Sequence, residues 1–181
     1  MNYRKTVLCV AGVSLLTMPL LARYNGADDE PERQFTAELQ GRNEAPLTLS
    51  AGRGTLSLTV NDTDSSVHFV LEYSGLLTAV GAAHIHVGQP NVNGGVTVFF
   101  CGGGGRPACP TQGTVTGDFT ANDVLGLASQ QLEPNNLAKL LTAIRAGKTY
   151  ANVHTATSPA GEIRGQIHGV DKHKDKDKKD R

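Results

Sequence analysis

Two histidines separated by one residue lie in the stretch GAAHIHVG, residues 81–88. Because side chains alternate along an extended strand, His84 and His86 point to the same face. A later run with strand character, TYANVHT at 149–155, carries His154. If these two strands are neighbours, three imidazoles converge, and three imidazoles are a ligand set that copper and zinc accept. The spacing therefore predicts a metal site formed by His84, His86 and His154.

Polar residues on the same strand faces suggest how such a site is supported. We expect Asn152 and Gln166 to orient the imidazoles as hydrogen-bond partners of the ligands. The alternative is a metal-free face, in which the histidines bond to Asn152, Tyr150 or a carboxylate and order the surrounding loops. A three-histidine site with an open position can be catalytic, whereas a closed site is normally structural.

Other kinds of chemistry have no signature in the chain. The sequence contains no GxSxG elbow, no P-loop, and no GxGxxG that follows a strand and opens a helix. The formal net charge is +0, from 17 basic and 17 acidic residues. This balance gives no reason to expect a nucleic-acid partner.

The N-terminus reads as a secretory signal peptide over residues 1–22. A short basic segment, MNYRK, precedes an apolar run that ends in a small residue at Ala22. The alternative is a retained membrane anchor, for which the uncharged run is at the short limit. We expect cleavage after Ala22, no stable membrane anchor thereafter, and an exported protein that is periplasmic or extracellular.

Two cysteines, Cys101 and Cys109, bracket a glycine-rich loop in FFCGGGGRPACP. In an exported protein such a close pair predicts a disulfide, which would stabilise the fold by about 2.5 kcal/mol in the chain-entropy treatment. A thiolate metal site is the alternative, but an oxidising compartment disfavours free thiols.

Short β-rich runs separated by turn residues predict an all-β, antiparallel sandwich or barrel. The runs are Phe35 to Leu39, Gly54 to Val60, Val67 to Tyr73, Ala82 to Val87, Val96 to Phe100, Gly113 to Phe119, Thr149 to His154 and Glu162 to His168. One amphipathic helix is predicted where Leu137, Leu140, Leu141 and Ile144 recur at helical spacing. A short helical turn is predicted after Thr120. Residues 23–33 are expected to be a flexible lead-in and 170–181 a charged, disordered tail.

Five ordered blocks of the sequence resemble the CHRD domain, a family first named from repeats in chordin. The blocks are FTAELQGRNEAP, AAHIHVG, GTVTGDFTANDV, AGKTYANVHT and GEIRGQIHG, and the resemblance extends from Gln34 to Gly169. It implies an exported, single-domain bacterial type with a Greek-key β-sandwich, and the cysteine pair is similar to that of a bacterial subtype. The family's molecular activity is poorly defined, so the resemblance implies a binding module with an extracellular protein partner that it does not identify.

A weaker resemblance is to the copper/zinc superoxide dismutases. These enzymes also place a His-x-His pair on one sandwich strand, matched by His84 and His86, and another ligand on a late strand, matched by His154. The chain lacks a bridging histidine, a histidine and aspartate cluster for zinc, and an arginine placed by motif. Three hypotheses follow: a binding module that holds copper or zinc, a metal-free interaction or matrix domain, and a copper-dependent oxidoreductase.

Overall fold

The computed structural model describes residues 31–170. The predicted signal peptide lies outside the described residues, as do most of the predicted lead-in and the charged tail from residue 171. The described strands are β1 (Gln34–Gln40), β2 (Arg53–Val60), β3 (Ser66–Ser74), β4 (Val80–Val87), β5 (Gly95–Cys101), β6 (Gly113–Thr120), β7 (Thr149–Thr155), β8 (Ile163–Gln166) and β9 (His168–Gly169), with one α-helix, α1 (Leu137–Arg145).

All strand pairs are antiparallel, in the order β5-β4-β7-β8-β1-β2-β3-β6, with β9 also on β1. The strand β7 pairs with β4 although two strands intervene in the sequence, which is the non-sequential placement of a Greek key. The two terminal strands of this order, β5 and β6, contact each other, so the sheet nearly closes on itself. The predicted all-β class with one helical insertion is confirmed.

The core follows directly from strand alternation. In β3 the side chains of Val67, Phe69, Leu71 and Tyr73 are buried while His68 and Glu72 are exposed. Phe69 packs against Phe100 of β5, with ring centroids 4.7 Å apart. Because β3 pairs with β6 and β6 contacts β5, this contact packs the interior where the sheet nearly closes.

The helix α1 buries its predicted apolar stripe, Leu137, Leu140, Leu141 and Ile144. It starts where the Asn136 side chain accepts a hydrogen bond from the Lys139 backbone N–H. It ends before Gly147, which has a φ of +65°. The helical turn predicted after Thr120 is a 3₁₀ turn, Ala121–Asp123, whose last residue accepts a bond from the Thr120 N–H.

The last predicted strand differs from the observed one. The run Glu162 to His168 divides into β8 and β9, which pair with opposite ends of β1: Gln40 is opposite Arg164, and Thr36 is opposite His168. The β7 partner of β8 runs only from Tyr150 to Val153. Among residues 31–170, no helix is both long and apolar enough to cross a membrane.

Candidate metal centre

The strands β4 and β7 are neighbours, with Ala82 opposite His154 and His84 opposite Asn152. The condition on which the three-histidine prediction depended is therefore met. One nitrogen from each of His84, His86 and His154 lies within 4.8 Å of the other two. It is the only such group of potential ligands found in the described part of the chain.

Hydrogen bonds to backbone carbonyls fix the tautomers of two of these histidines. A carbonyl can only accept, so the Nδ1–H of His86 donates to the Gly94 carbonyl at 2.9 Å. In the same way the Nδ1–H of His154 donates to the Pro159 carbonyl at 3.0 Å. In each neutral ring the Nε2 atom is then left with a free lone pair.

Only one of these two lone pairs has a hydrogen-bond partner. The Nε2 of His86 accepts a hydrogen bond from Nδ1 of His84 at 2.9 Å. The Nε2 of His154 is buried and has no hydrogen-bond partner. A buried polar atom without a partner is rare and costly, so this atom requires an explanation.

All three imidazoles are kept neutral by their surroundings. Burial lowers the pKa of His84 to about 3, and the other two histidines add to the effect. Burial also lowers the pKa of His86, to about 4, against the opposing effect of its bond to Gly94. The pKa of His154 is lowered by burial too. Neutral imidazole is the form that ligates a metal, so near neutral pH no proton competes for these lone pairs.

Two aromatic rings flank the cluster. Phe99 of β5 meets His84 edge-on, with centroids 4.9 Å apart. Tyr150 of β7 stacks on His86, with centroids 4.6 Å apart and an interplanar angle of 3°. These rings fix the imidazoles in orientation and exclude water from their sides.

The disulfide predicted between Cys101 and Cys109 is present. It closes the glycine-rich loop that follows β5, and this loop packs against Phe99. A Cβ atom added at Gly103 would lie 2.4 Å from the Phe99 ring. The loop therefore has room for glycine alone at this position, and the disulfide contributes indirectly to the wall of the histidine cluster.

The two residues expected to orient the histidines make their hydrogen bonds elsewhere. Asn152 donates to the Glu44 carboxylate at 2.6 Å and to the Ile163 carbonyl. Gln166 donates to the carbonyls of Gly88 and Gly147. Through these bonds both residues hold chain segments around the cluster, and a direct role on the imidazoles stays a prediction.

Sequence reasoning missed two buried charged residues near the cluster, Glu44 and Arg164. Glu44 is 7% exposed, and burial raises its pKa to about 7. Arg164 is 2% exposed, with its guanidinium 3.4 Å from the centre of the Tyr150 ring. Glu44 stands in the block GRNEAP and Arg164 in GEIRGQ, so their strand and turn positions were visible, but no local pattern distinguishes a buried charge from an exposed one.

The CHRD domain family model matches residues 35–167. The chain therefore belongs to the CHRD domain family, as the five sequence blocks indicated. A search of curated proteins found no match. Family membership supports a binding module and suggests interaction with protein.

Proposed function

We propose that this protein is an exported binding module that holds one transition-metal ion, copper or zinc, on His84, His86 and His154. The observation that carries the proposal is the Nε2 atom of His154, which is buried, free of any hydrogen-bond partner, and close to the other two imidazoles. A metal ion would use a lone pair that is otherwise buried at a cost.

The distances among the ligands support a shared ion. Two nitrogens bound to one zinc ion at about 2.05 Å lie about 3.3 Å apart in a tetrahedral site. Nδ1 of His84 and Nε2 of His86 are 2.9 Å apart, so for this pair a shift of a few tenths of an ångström would suffice, and a nitrogen of His154 lies within 4.8 Å of the other two ligands. Metal binding would then replace the hydrogen bond between these two atoms, and the proton on Nδ1 of His84 would move to Nε2 of the same ring, which leaves Nδ1 with the lone pair that a ligand needs.

The ligand set favours copper or zinc over calcium and magnesium. Imidazole nitrogen suits copper and zinc, whereas the hard cations take oxygen ligands. No carboxylate belongs to the cluster as far as residues 31–170 show. Three protein ligands also leave a coordination position for a further molecule, which is the requirement for the copper-dependent oxidoreductase alternative.

Metal content measured on the exported chain tests the proposal. The protein, made without a histidine tag and loaded with Cu²⁺ or Zn²⁺, is desalted and its metals are counted by mass spectrometry. We expect about one equivalent in the wild type and loss of retained metal in His84→Ala and in His154→Ala. The control His68→Ala changes a histidine on β3 whose side chain is 52% exposed, and it should retain the metal.

A second candidate, the metal-free interaction domain, is favoured by apolar side chains on the surface. Leu47, Leu49 and Leu77 are 61%, 96% and 63% exposed. Two of the loops that carry them are close together, because Ser50 and the Leu77 N–H both bond to the Glu162 carboxylate. Folded wild-type protein that retains no metal after loading would favour this candidate and refute the first.

A further inference from the structure

The segment between β4 and β5, residues 88–94, folds back against the histidine cluster and ends on one of its members. The Gly94 carbonyl accepts the Nδ1–H of His86, and the Gly94 N–H donates to the Tyr150 hydroxyl at 3.1 Å. A Cβ atom at Gly94 would lie 1.7 Å from the Val87 carbonyl oxygen, so only glycine fits. The tautomer of His86 thus depends on where this segment holds the Gly94 carbonyl.

Arg164, on β8, holds that segment in place. One guanidinium nitrogen donates to the carbonyls of Gln89 and Val92, at 3.0 and 2.9 Å. The other lies 3.4 Å from the side-chain oxygen of Asn93. The planar guanidinium group of arginine can donate hydrogen bonds to several acceptors at once, and the ammonium group of lysine does this less well.

Arg164 also acts on His86 through a stack of three groups. Its guanidinium lies 3.4 Å from the centre of the Tyr150 ring, and the same ring stacks on His86. Because Arg164 and His86 cannot both occupy the same face of this ring, Tyr150 lies between them. The arginine therefore fixes both the ring that packs on His86 and the loop whose Gly94 carbonyl accepts the hydrogen bond from His86.

We propose that Arg164 is a positioning residue that sets the tautomer and orientation of His86 and thereby strengthens metal binding at the cluster. The part about metal affinity rests on the proposed function, whereas the part about the tautomer stands without it. Positioning partners of metal ligands typically change metal affinity by about 10 to 100-fold when they are removed.

The charge of Arg164 makes the direction of the effect informative. A buried cation near the cluster repels an incoming metal ion, although the Glu44 carboxylate offsets part of this charge. If charge were the main effect, weakening the arginine contacts would leave metal affinity unchanged or raise it. If positioning is the main effect, the affinity falls even when the positive charge is kept.

The test uses Arg164→Lys, which keeps the positive charge but loses the planar guanidinium that bonds to several acceptors at once. In the metal-free protein labelled with ¹⁵N, long-range proton–nitrogen NMR spectra identify which ring nitrogen of His86 carries hydrogen. We expect Nδ1–H alone in the wild type and a mixture of tautomers in the variant. Competition with a chromogenic chelator then measures Zn²⁺ affinity, which we expect to fall by about 10 to 100-fold.

Two further variants complete the design. Tyr150→Phe keeps the stacked ring but removes the hydroxyl that holds the Gly94 N–H, so it should shift the tautomer in the same direction and carries the test if Arg164→Lys does not fold. Arg53→Lys alters an exposed arginine bonded to the Ala51 and Gly52 carbonyls and should behave as wild type.

A wild-type His86 tautomer in folded Arg164→Lys would overturn the proposal, and if that variant does not fold, a wild-type tautomer in Tyr150→Phe would overturn it. A mixed tautomer with unchanged or tighter zinc binding would overturn its claim about affinity. If the wild type binds no zinc, the proposed metal function fails, and the tautomer measurement alone decides whether Arg164 positions His86.

Discussion

Acidification of the metal-free protein should destabilise it through the histidine cluster. His84 and His86 are 6% and 8% exposed, and their pKa values in the folded state are about 3 and about 4, against 6.5 for an ordinary histidine. Between about pH 4 and pH 6.5 the unfolded chain therefore binds protons that the folded chain does not. Stability falls as the pH is lowered wherever the unfolded state binds more protons.

The magnitude follows from the width of this window. Each pH unit below 6.5 lowers the free energy of unfolding by about 1.4 kcal/mol for each histidine that is protonated only in the unfolded chain. At pH 5 the loss is therefore about 2 kcal/mol for each of the two histidines. Together they lower the free energy of unfolding by up to about 4 kcal/mol relative to pH 7.5. Glu44 works in the opposite direction, because its raised pKa of about 7 lets the folded state take up a proton first.

Comparison of variants separates the two effects. The free energy of unfolding is measured by urea denaturation at pH 7.5 and pH 5.0, with a chelator present, for the wild type, His84→Ala and His86→Ala. We expect each substitution to remove about 2 kcal/mol of the acid-dependent loss, whatever it does to stability at pH 7.5. Ser57→Ala, on the exposed face of β2, changes no ionisable group and should leave the pH dependence unchanged.

The reasoning is refuted if the wild type and both cluster variants lose the same free energy between the two pH values. That outcome would mean that the folded protein protonates these imidazoles as readily as the unfolded chain does. The imidazoles would then be neither shielded from water nor held in the neutral form that binds a metal ion.

Two further predictions concern the supports of the site. Replacing Cys101 and Cys109 together by alanine should lower the free energy of unfolding in urea by about 2.5 kcal/mol relative to the oxidised wild type, and reducing the wild type should cause the same loss. Glu162→Ala should cost at least about 3 kcal/mol, since the buried carboxylate accepts bonds from Ser50, Thr155 and the Leu77 N–H. Glu72→Ala, which removes an exposed carboxylate of β3, should cost less than about 0.5 kcal/mol, and equal losses in the two variants would contradict the account.

Much of the fold was predictable because alternation and turn residues report directly on which side of a strand is buried. The inward face of β3 and the buried stripe of α1 match the sequence pattern residue by residue. The division of the last run into β8 and β9 was not predictable. It depends on which partner strand each half meets, and this is a tertiary property.

The candidate site was predictable only in part. Alternation placed His84 and His86 on one face, but their burial depends on residues 88–94 folding over that face, which no periodicity reveals. For the same reason Asn152 was expected on an imidazole, whereas its side chain bonds to Glu44. Long-range contacts of single polar side chains decide these details.

The central claim is that His84, His86 and His154 bind one metal ion together. X-ray absorption spectroscopy of the zinc-loaded or copper-loaded protein tests it most directly, because scattering from imidazole rings counts the histidine ligands. We predict three imidazole nitrogens at about 2.0 to 2.1 Å for zinc, reduced to two in His154→Ala if that variant retains any metal. A spectrum with only oxygen ligands, or with the same histidine count after His154→Ala, would contradict the account.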